Sequence, residues 1–438
     1  MKMTNFQIIF TGVFVLLILI GVAVFASMGG VGGNAGVGSV VIWGEADQTA
    51  FDEALQTLRQ QDKSFQDVQY VQKNPSTYTA DLVNAMASGT GPDIFLITQE
   101  SLTPFMNKIA TVPYNTVSQA TFTSAYIDEA QLFLTAQGSL ALPLLVDPMV
   151  MYWNRDMLAS AGIAQPPLYW NDLLGFAPKV TVLNGASTVR KSAVALGEWR
   201  NISHAKAILS ALFMQAGDPI VGRDKETGFL TALFGTTPTN APENPAVSAL
   251  KFYTEFTNPT KTTYSWNHSL PLSRDAFISG DLALYFGFAS DYATIESRNP
   301  NLHFSVAALP QIEGNSIRST YGVMTGVAIS RAAPNPMGAL TIVQKLTDQT
   351  GIVAFAQGFK LPPVRRDIVP DTTASAPASV FAESALIARG WLDPDKTSTN
   401  ALFQNMIESV ISGKAQADQA VGEAVQVFGV LMRPYASQ

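Results

Sequence analysis

The run Leu142-Pro143-Leu144-Leu145-Val146-Asp147-Pro148-Met149-Val150-Met151-Tyr152-Trp153-Asn154-Arg155-Asp156-Met157-Leu158 constrains this chain more than any other segment. It reads as a proline-led, mostly apolar strand with one acid in it, then an aromatic pair, an asparagine and a helix start. Asp147 is the telling residue. A buried strand has little reason to carry an acid unless that acid is paired or faces a cleft. Asn154 is expected to cap the helix that begins at Arg155.

The chain has 438 residues, more than a single core usually serves, so two lobes are expected. Lys plus Arg number 27 against 34 Asp plus Glu, a formal charge of −7, which argues against nucleic acid as a partner. Charged residues make up only 14 %, and Gly and Pro are plentiful, as in a loop-rich globular protein. There is no cysteine, which excludes a disulfide scaffold, a thiolate metal site, a thiol nucleophile and a lipid-modified cysteine anchor. The three histidines, His204, His268 and His303, lie far apart, so neither a metal nor a cofactor is expected.

Phe6 to Met28 carries no charge and is broken only by Gln7, Thr11 and Ser27, with Lys2 before it. About 20 such residues span a bilayer core. Residues 1–28 are therefore read as a transmembrane anchor with the body outside the cytoplasm, the alternative being a signal peptide cleaved after Ala26. Residues 29–39 form a glycine-rich tether. Its Gly30, Gly32 and Gly33 are no dinucleotide fingerprint, because no strand precedes them and no helix follows.

Val40 to Trp43 reads as a buried first strand, with Asp47 capping a helix whose apolar face is Phe51, Ala54, Leu55 and Leu58. Gln69 to Gln72 is a second strand. A helix carrying Tyr78, Leu82 and Met86 ends at Gly89, and Ile94 to Ile97 is a third strand. This alternation predicts a parallel sheet covered on both faces. Ligands of such sheets gather at the carboxyl ends of the strands, which places Trp43, Gly44, Glu45, Thr98 and Gln99 at a cleft edge. Further on, the periodicity predicts helices over 205–214, 246–256, 336–349 and 351–357. It predicts strands over 282–288, 304–309 and 326–330, and a helical tail over 401–430.

Several landmarks fall in one order: Trp43; Tyr78 with Leu82; Gly91-Pro92-Asp93-Ile94; Pro143 with Asp147 through Tyr152-Trp153-Asn154-Arg155-Asp156-Met157; and Pro167 with Trp170-Asn171-Asp172-Leu173. Phe277 with Gly280-Asp281-Leu282-Ala283-Leu284, then Leu309-Pro310, Gly326-Val327-Ala328-Ile329 and Pro362-Pro363-Val364-Arg365, complete the series. From Val40 to Met432 the chain resembles the family 1 extracellular solute-binding proteins, the maltose-binding-protein-like group. It departs from them in three places. Trp153 splits the usual tyrosine–asparagine pair, the lipobox cysteine is missing, and Phe286 or Phe288, with Tyr292 beyond, stands where a tryptophan is usual.

The resemblance implies an α/β, two-lobed periplasmic-binding-protein-like fold with discontinuous lobes behind the N-terminal transmembrane helix. The first lobe would take 40–146 plus 322–365 and the second 147–321 plus 366–438. Crossings are expected near Pro143–Asp147, Ser319–Tyr321 and Pro362–Val369. It also implies a non-enzymatic monomer, held at the cell membrane, that captures a carbohydrate between its lobes and serves an ABC-type permease. Sugars need flat aromatics for their faces and planar polar groups for their hydroxyls. The ligand-binding candidates are Trp43, Glu45, Asp147, Tyr152, Trp199, Trp266, Phe288 and Tyr321. Core packing is the rival role for the aromatics, a helix-start acid for Glu45 and a hinge carboxylate for Asp147. Asp93, at a strand start, is expected in a turn or cap. A polyamine, a peptide or another small polar solute would suit the same fold, as would a membrane-tethered sensor. No Walker A loop and no Gly-x-Ser-x-Gly elbow occur.

Overall fold

The computed structural model describes residues 37–436 except 186–187, 225, 236–242 and 369–375. The apolar segment 6–28 and most of the tether lie outside the described residues. Among those described, no helix is long and apolar enough to cross a membrane.

The N-terminal half alternates as its periodicity predicts: β1 (Val40–Gly44), α1 (Gln48–Gln61), β2 (Val68–Gln72), α2 (Tyr78–Ser88) and β3 (Ile94–Thr98). The Asp47 carboxylate caps α1 by accepting the Ala50 N–H at 2.9 Å. Phe51, Ala54, Leu55 and Leu58 are the buried face of that helix. Gly89 ends α2 at φ 73, a left-handed conformation that glycine adopts without steric cost. β1 pairs in parallel with both β2 and β3, so Trp43 stands beside Val71 and Phe95. Asp93, expected in a turn or cap, is structural, but it acts across the fold rather than on its own segment. Its carboxylate accepts the N–H of Val41 at 2.9 Å and of Asn335 at 2.7 Å.

The sheet then continues through two long strands. β4 (Leu142–Asn154) is followed by β5 (Val182–Asn184), β6 (Thr188–Val194), helix α3 (Ala205–Gln215), β7 (Leu282–Phe288), β8 (Phe304–Ala308) and β9 (Thr320–Ser330). The strand order is β2-β1-β3-β9-β4-β7-β6-β5, with β8 also on β4. β4 and β9 run antiparallel, with Gly322 opposite Pro148 and Val323 opposite Asp147. Beyond that point β9 pairs with β3 through Thr325–Ile329, whereas β4 pairs with β7 through Met149–Trp153. Two α/β halves thus share two strands, and Asp147 sits where β4 passes from one half to the other. β9 begins six residues before the apolar stretch that announced it. Its Thr320-Tyr321-Gly322 start has no strand-like run and is held by β4 on one side and β10 (Ala388–Arg389) on the other.

Helix α4 (Gln349–Phe359) packs on α1 through Phe355 and Phe51, with ring centroids 4.7 Å apart. Helix α5 (Ala376–Leu386) lies against β8 and β4. The expected helical tail is two helices, α6 (Lys396–Ile411) and α7 (Ala417–Met432), separated at Gly413, whose φ is 72.

Asn154 caps its helix as expected, accepting the N–H groups of Asp156 at 3.0 Å and Met157 at 3.1 Å. Asn154→Ala leaves both donors without that acceptor and is expected to lower stability by about 1 kcal/mol in chemical denaturation. A loss below about 0.3 kcal/mol would mean that solvent replaces the cap fully.

Candidate ligand cleft

The carboxyl ends of β1 and β3 form one wall. Tyr78 ties them together, its hydroxyl donating to the carbonyls of Trp43 at 3.1 Å and Leu96 at 2.8 Å. Trp43 is half-buried, and the Lys73 ammonium lies 3.5 Å from its ring centroid. Glu45 follows in the turn, exposed to solvent. Its carboxyl nevertheless titrates above the ordinary range because the surrounding protein desolvates it, with Lys396 opposing. An accessible carboxyl flanked by low-dielectric protein is what a cleft wall presents.

Gln99 and Glu100 follow β3. Gln99 is fully buried and ties β3 to the crossing strand. Its amide donates to the Gly322 carbonyl at 2.8 Å and accepts the Met324 N–H at 2.8 Å. Glu100 accepts the Tyr321 hydroxyl at 2.8 Å and meets the Lys396 ammonium at 2.8 Å. Burial alone would lift its carboxyl, but Lys396 outweighs that and holds it below the ordinary range. Lys396 opens α6, so this contact joins the first half to the C-terminal helices. Behind it, Lys206 of α3 is buried with Asp393 at 2.5 Å and Thr399 at 2.8 Å.

The opposite wall is the end of β7. Asp147 accepts the Ser290 N–H at 3.1 Å, and burial pushes its carboxyl up to about 6, with Ser290 opposing. Asp291 is also buried, which would raise it. Contacts from His204 at 3.3 Å, Tyr285 at 2.8 Å and Arg274 at 3.2 Å prevail and hold it low. His204 stands at φ 63, a left-handed conformation that an L-residue keeps only where its surroundings fix it. Its ring meets Phe288 edge-on with centroids 4.7 Å apart, and Phe288 meets Tyr321 at 6.3 Å. His204, Phe288, Tyr321, Glu100 and Lys396 therefore form one continuous seam. An apolar cavity of about 430 Å³ adjoins Ser290, lined by Tyr292, Phe359, Pro362, Pro363 and Phe381.

Of the residues singled out in the sequence, the structure brings Glu45, Asp147, Phe288 and Tyr321 to this seam, with Trp43 at its edge. Trp199 is half-buried in the loop before α3 and packs on the core. Tyr152 and Trp266 are corrections, and Tyr321, although on the seam, is also only 1 % exposed, with its hydroxyl on Glu100. Tyr152 is fully buried between β7 and β8, its hydroxyl donating to the Phe288 carbonyl at 2.6 Å. Trp266 is 1 % exposed, and its indole N–H donates to Asn201 at 3.1 Å. The polar residues around Trp266 satisfy its one donor inside the protein, so polar sequence context did not mean solvent. Sequence reasoning missed Glu100, although the strand-end rule reached its neighbour Gln99. It also missed His204, Lys206, Asp393 and Lys396, for which no local signal exists.

The sequence model for "Bacterial extracellular solute-binding protein" matches residues 53–382. A binding protein of Brucella abortus strain 2308 is 22 % identical over 366 residues, covering 80 % of this chain and 82 % of the relative. Among solved structures, a cyclo/maltodextrin-binding protein complexed with maltotetraose superposes with a TM-score of 0.72 at 15 % identity, covering 92 % of this chain and 99 % of the other. The cyclic alpha-maltosyl-1,6-maltose binding protein of Arthrobacter globiformis superposes with a TM-score of 0.71 at 17 % identity, covering 90 % and 99 %.

Proposed function

The chain belongs to the bacterial extracellular solute-binding proteins, and from that premise we propose that it captures a carbohydrate between its two lobes and delivers it to an ABC-type importer. It is a binding protein, not an enzyme, and its family works outside the cytoplasm. The observation that carries the carbohydrate reading is the seam itself. The acids Glu45, Glu100 and Asp147, of which Glu100 already accepts the Tyr321 hydroxyl, lie along the meeting line of the two halves with the buried rings of Phe288 and Tyr321 between them. Separation of the halves would uncover acids and rings in the alternation that a sugar's edges and faces require. The sugar complexes among the structural neighbours support the same class of ligand. The lobes are taken as 40–146 plus 322–365 and 147–321 plus 366–438, a division supported by the strand exchange at Asp147 and Val323. The apolar stretch Phe6–Met28 is taken as the membrane anchor on its composition.

The test is a thermal-shift screen of the purified protein against mono- and oligosaccharides, polyamines, amino acids and peptides. A ligand at a hundredfold its dissociation constant should add about 2.7 kcal/mol and raise the melting temperature by several degrees. A response to one sugar class is the expected result. A response to polyamines alone would favour the second reading, for which one observation speaks. An ammonium, that of Lys396, already lies against Glu100 and near Glu45.

A further inference from the structure

Glu129 lies in the short helical turn Asp128–Phe133 and is 2 % exposed. Neither of its carboxyl oxygens has a hydrogen-bond partner among the described residues. The Gln99 amide, which also borders Gly390, donates to the Gly322 carbonyl and accepts the Met324 N–H rather than bonding Glu129. Two glycines make room for the acid. A Cβ at Gly390 would come within 2.7 Å of one carboxyl oxygen, and one at Gly322 would run into the other. Gly322 is on the crossing strand, opposite Pro148. A cavity of about 200 Å³ adjoins Glu129, walled by Leu132 on its own turn, by Arg389 and Gly390, and by Arg223 and Leu230 of a small hairpin. The acid is thus enclosed where elements of both halves meet.

The charges around it do not compensate it. Among the described residues, Arg389 is the cation that acts on Glu129, and it is bound to Asp128 at 2.9 Å. Asp128 is also held by Arg366. Arg223 donates one guanidinium N–H to the Gly228 carbonyl at 3.2 Å, and its other terminal nitrogen has no partner among the described residues. Glu100, with Lys396 and the Tyr321 hydroxyl on it, adds negative potential at Glu129. A carboxylate without donors in such a place is costly, whereas the neutral acid is tolerated. Burial accordingly pushes its carboxyl up to about 8, with Arg389 opposing and Glu100 assisting.

We propose that Glu129 is a proton-linked switch in the hinge, neutral while the halves are shut upon it and ionised when their separation admits water. This rests on the two-lobed reading but not on the identity of the ligand. The shut state binds one more proton than the open state wherever the acid is neutral in one and ionised in the other. Between the ordinary carboxylate range and about pH 8, the shut-to-open ratio therefore falls about tenfold per pH unit. Above and below that window Glu129 contributes no pH dependence.

The chain has no cysteine, so spin labels can be placed without background. Gln60→Cys on α1 and Ser297→Cys in the second half, both exposed positions, report the separation by pulsed dipolar spectroscopy of the ligand-free full chain. Between about pH 5 and about pH 8 the shut population should fall. Glu129→Gln should remove that part of the response and keep the halves shut at the alkaline end. Glu129→Leu serves as a second variant if the amide perturbs folding. Asp147, whose carboxyl sits near 6, titrates in the same window, so the comparison between parent and variant is the readout. In parallel, a carboxylic-acid C=O infrared band should titrate in the parent and be missing from Glu129→Gln. Identical pH responses in parent and variants, a flat response in the parent, or a shut population that rises with pH would each overturn the proposal. None of these outcomes depends on whether a sugar binds.

Discussion

Asp393→Asn is expected to destabilise the folded protein by about 3–5 kcal/mol, the range for breaking a buried ion pair from one side. Asp393 is fully buried and accepts the Lys206 ammonium at 2.5 Å and the Thr399 hydroxyl at 2.8 Å. Lys206 is itself 9 % exposed and lies 5.0 Å from the Trp391 ring centroid. The asparagine keeps the shape and an acceptor but removes the charge. Lys206 would then lose its bonded counterion in a place water hardly reaches, with Glu100 acting on it only from a distance. The pair is not itself a large source of stability. Burial raises the Asp393 carboxyl even with Lys206 opposing, so the fold strains against its ionised form. The damage comes from orphaning the partner, and this yields a second expectation. Lys206→Met combined with Asp393→Asn should recover most of the loss, because an apolar side chain in place of the stranded ammonium removes the desolvation cost. Chemical denaturation of the two single variants and the double variant decides it. A loss under about 1 kcal/mol in Asp393→Asn would show that solvent reaches Lys206 after all.

How much of this was legible in the sequence depended on how local the cause was. Asp47, Gly89 and Asn154 announced their caps because a cap is made by neighbours in the chain. β7 was legible as an unbroken apolar run because it is buried on both faces. β6 was not, since Arg190 and Lys191 interrupt it and four of its seven residues are buried only by tertiary packing. Asp147 was the best single clue, and it does lie where the chain passes between the halves. The rule that ligands gather at strand ends led to Glu45 and stopped one residue short of Glu100. Lys396 is separated from Glu100 by most of the chain, so no spacing or motif could pair them. Aromatic residues misled in one consistent way. Trp266 and Tyr152 were expected in the cleft as flat aromatics for a sugar's faces, yet each is buried and finds its hydrogen bond inside, on Asn201 and on Phe288.

Glu100→Gln is expected to weaken binding of the sugar identified by the thermal screen by roughly 10- to 150-fold, the equivalent of about 1.5–3 kcal/mol for one charged hydrogen bond. The carboxylate is placed for this. Tyr321 fixes one oxygen and Lys396 meets the other, and the Lys396 side chain is 60 % exposed and free to move aside or join a ligand. Glutamine preserves size while surrendering one of the two acceptor oxygens and the charge. Glu100 is itself largely buried, so the free protein should lose about 1 kcal/mol, the upper end for an ion pair with an exposed partner, while glutamine keeps an oxygen for the Tyr321 hydroxyl. Affinity and stability should therefore separate: binding falls while the melting temperature of the ligand-free protein stays within a degree or two. Tyr321→Phe should cost about 1 kcal/mol of binding, and the double variant less than the sum, because the hydroxyl acts by orienting the same carboxylate. Lys396→Met sharpens the alternative. If the cleft serves a sugar, removing the ammonium weakens binding or leaves it unchanged. If the natural ligand is a cation, removing the lysine that sits on Glu100 strengthens binding, because the seat no longer has to be vacated. Unchanged sugar affinity in Glu100→Gln would place the site elsewhere along the seam, nearest Asp147 and Phe288.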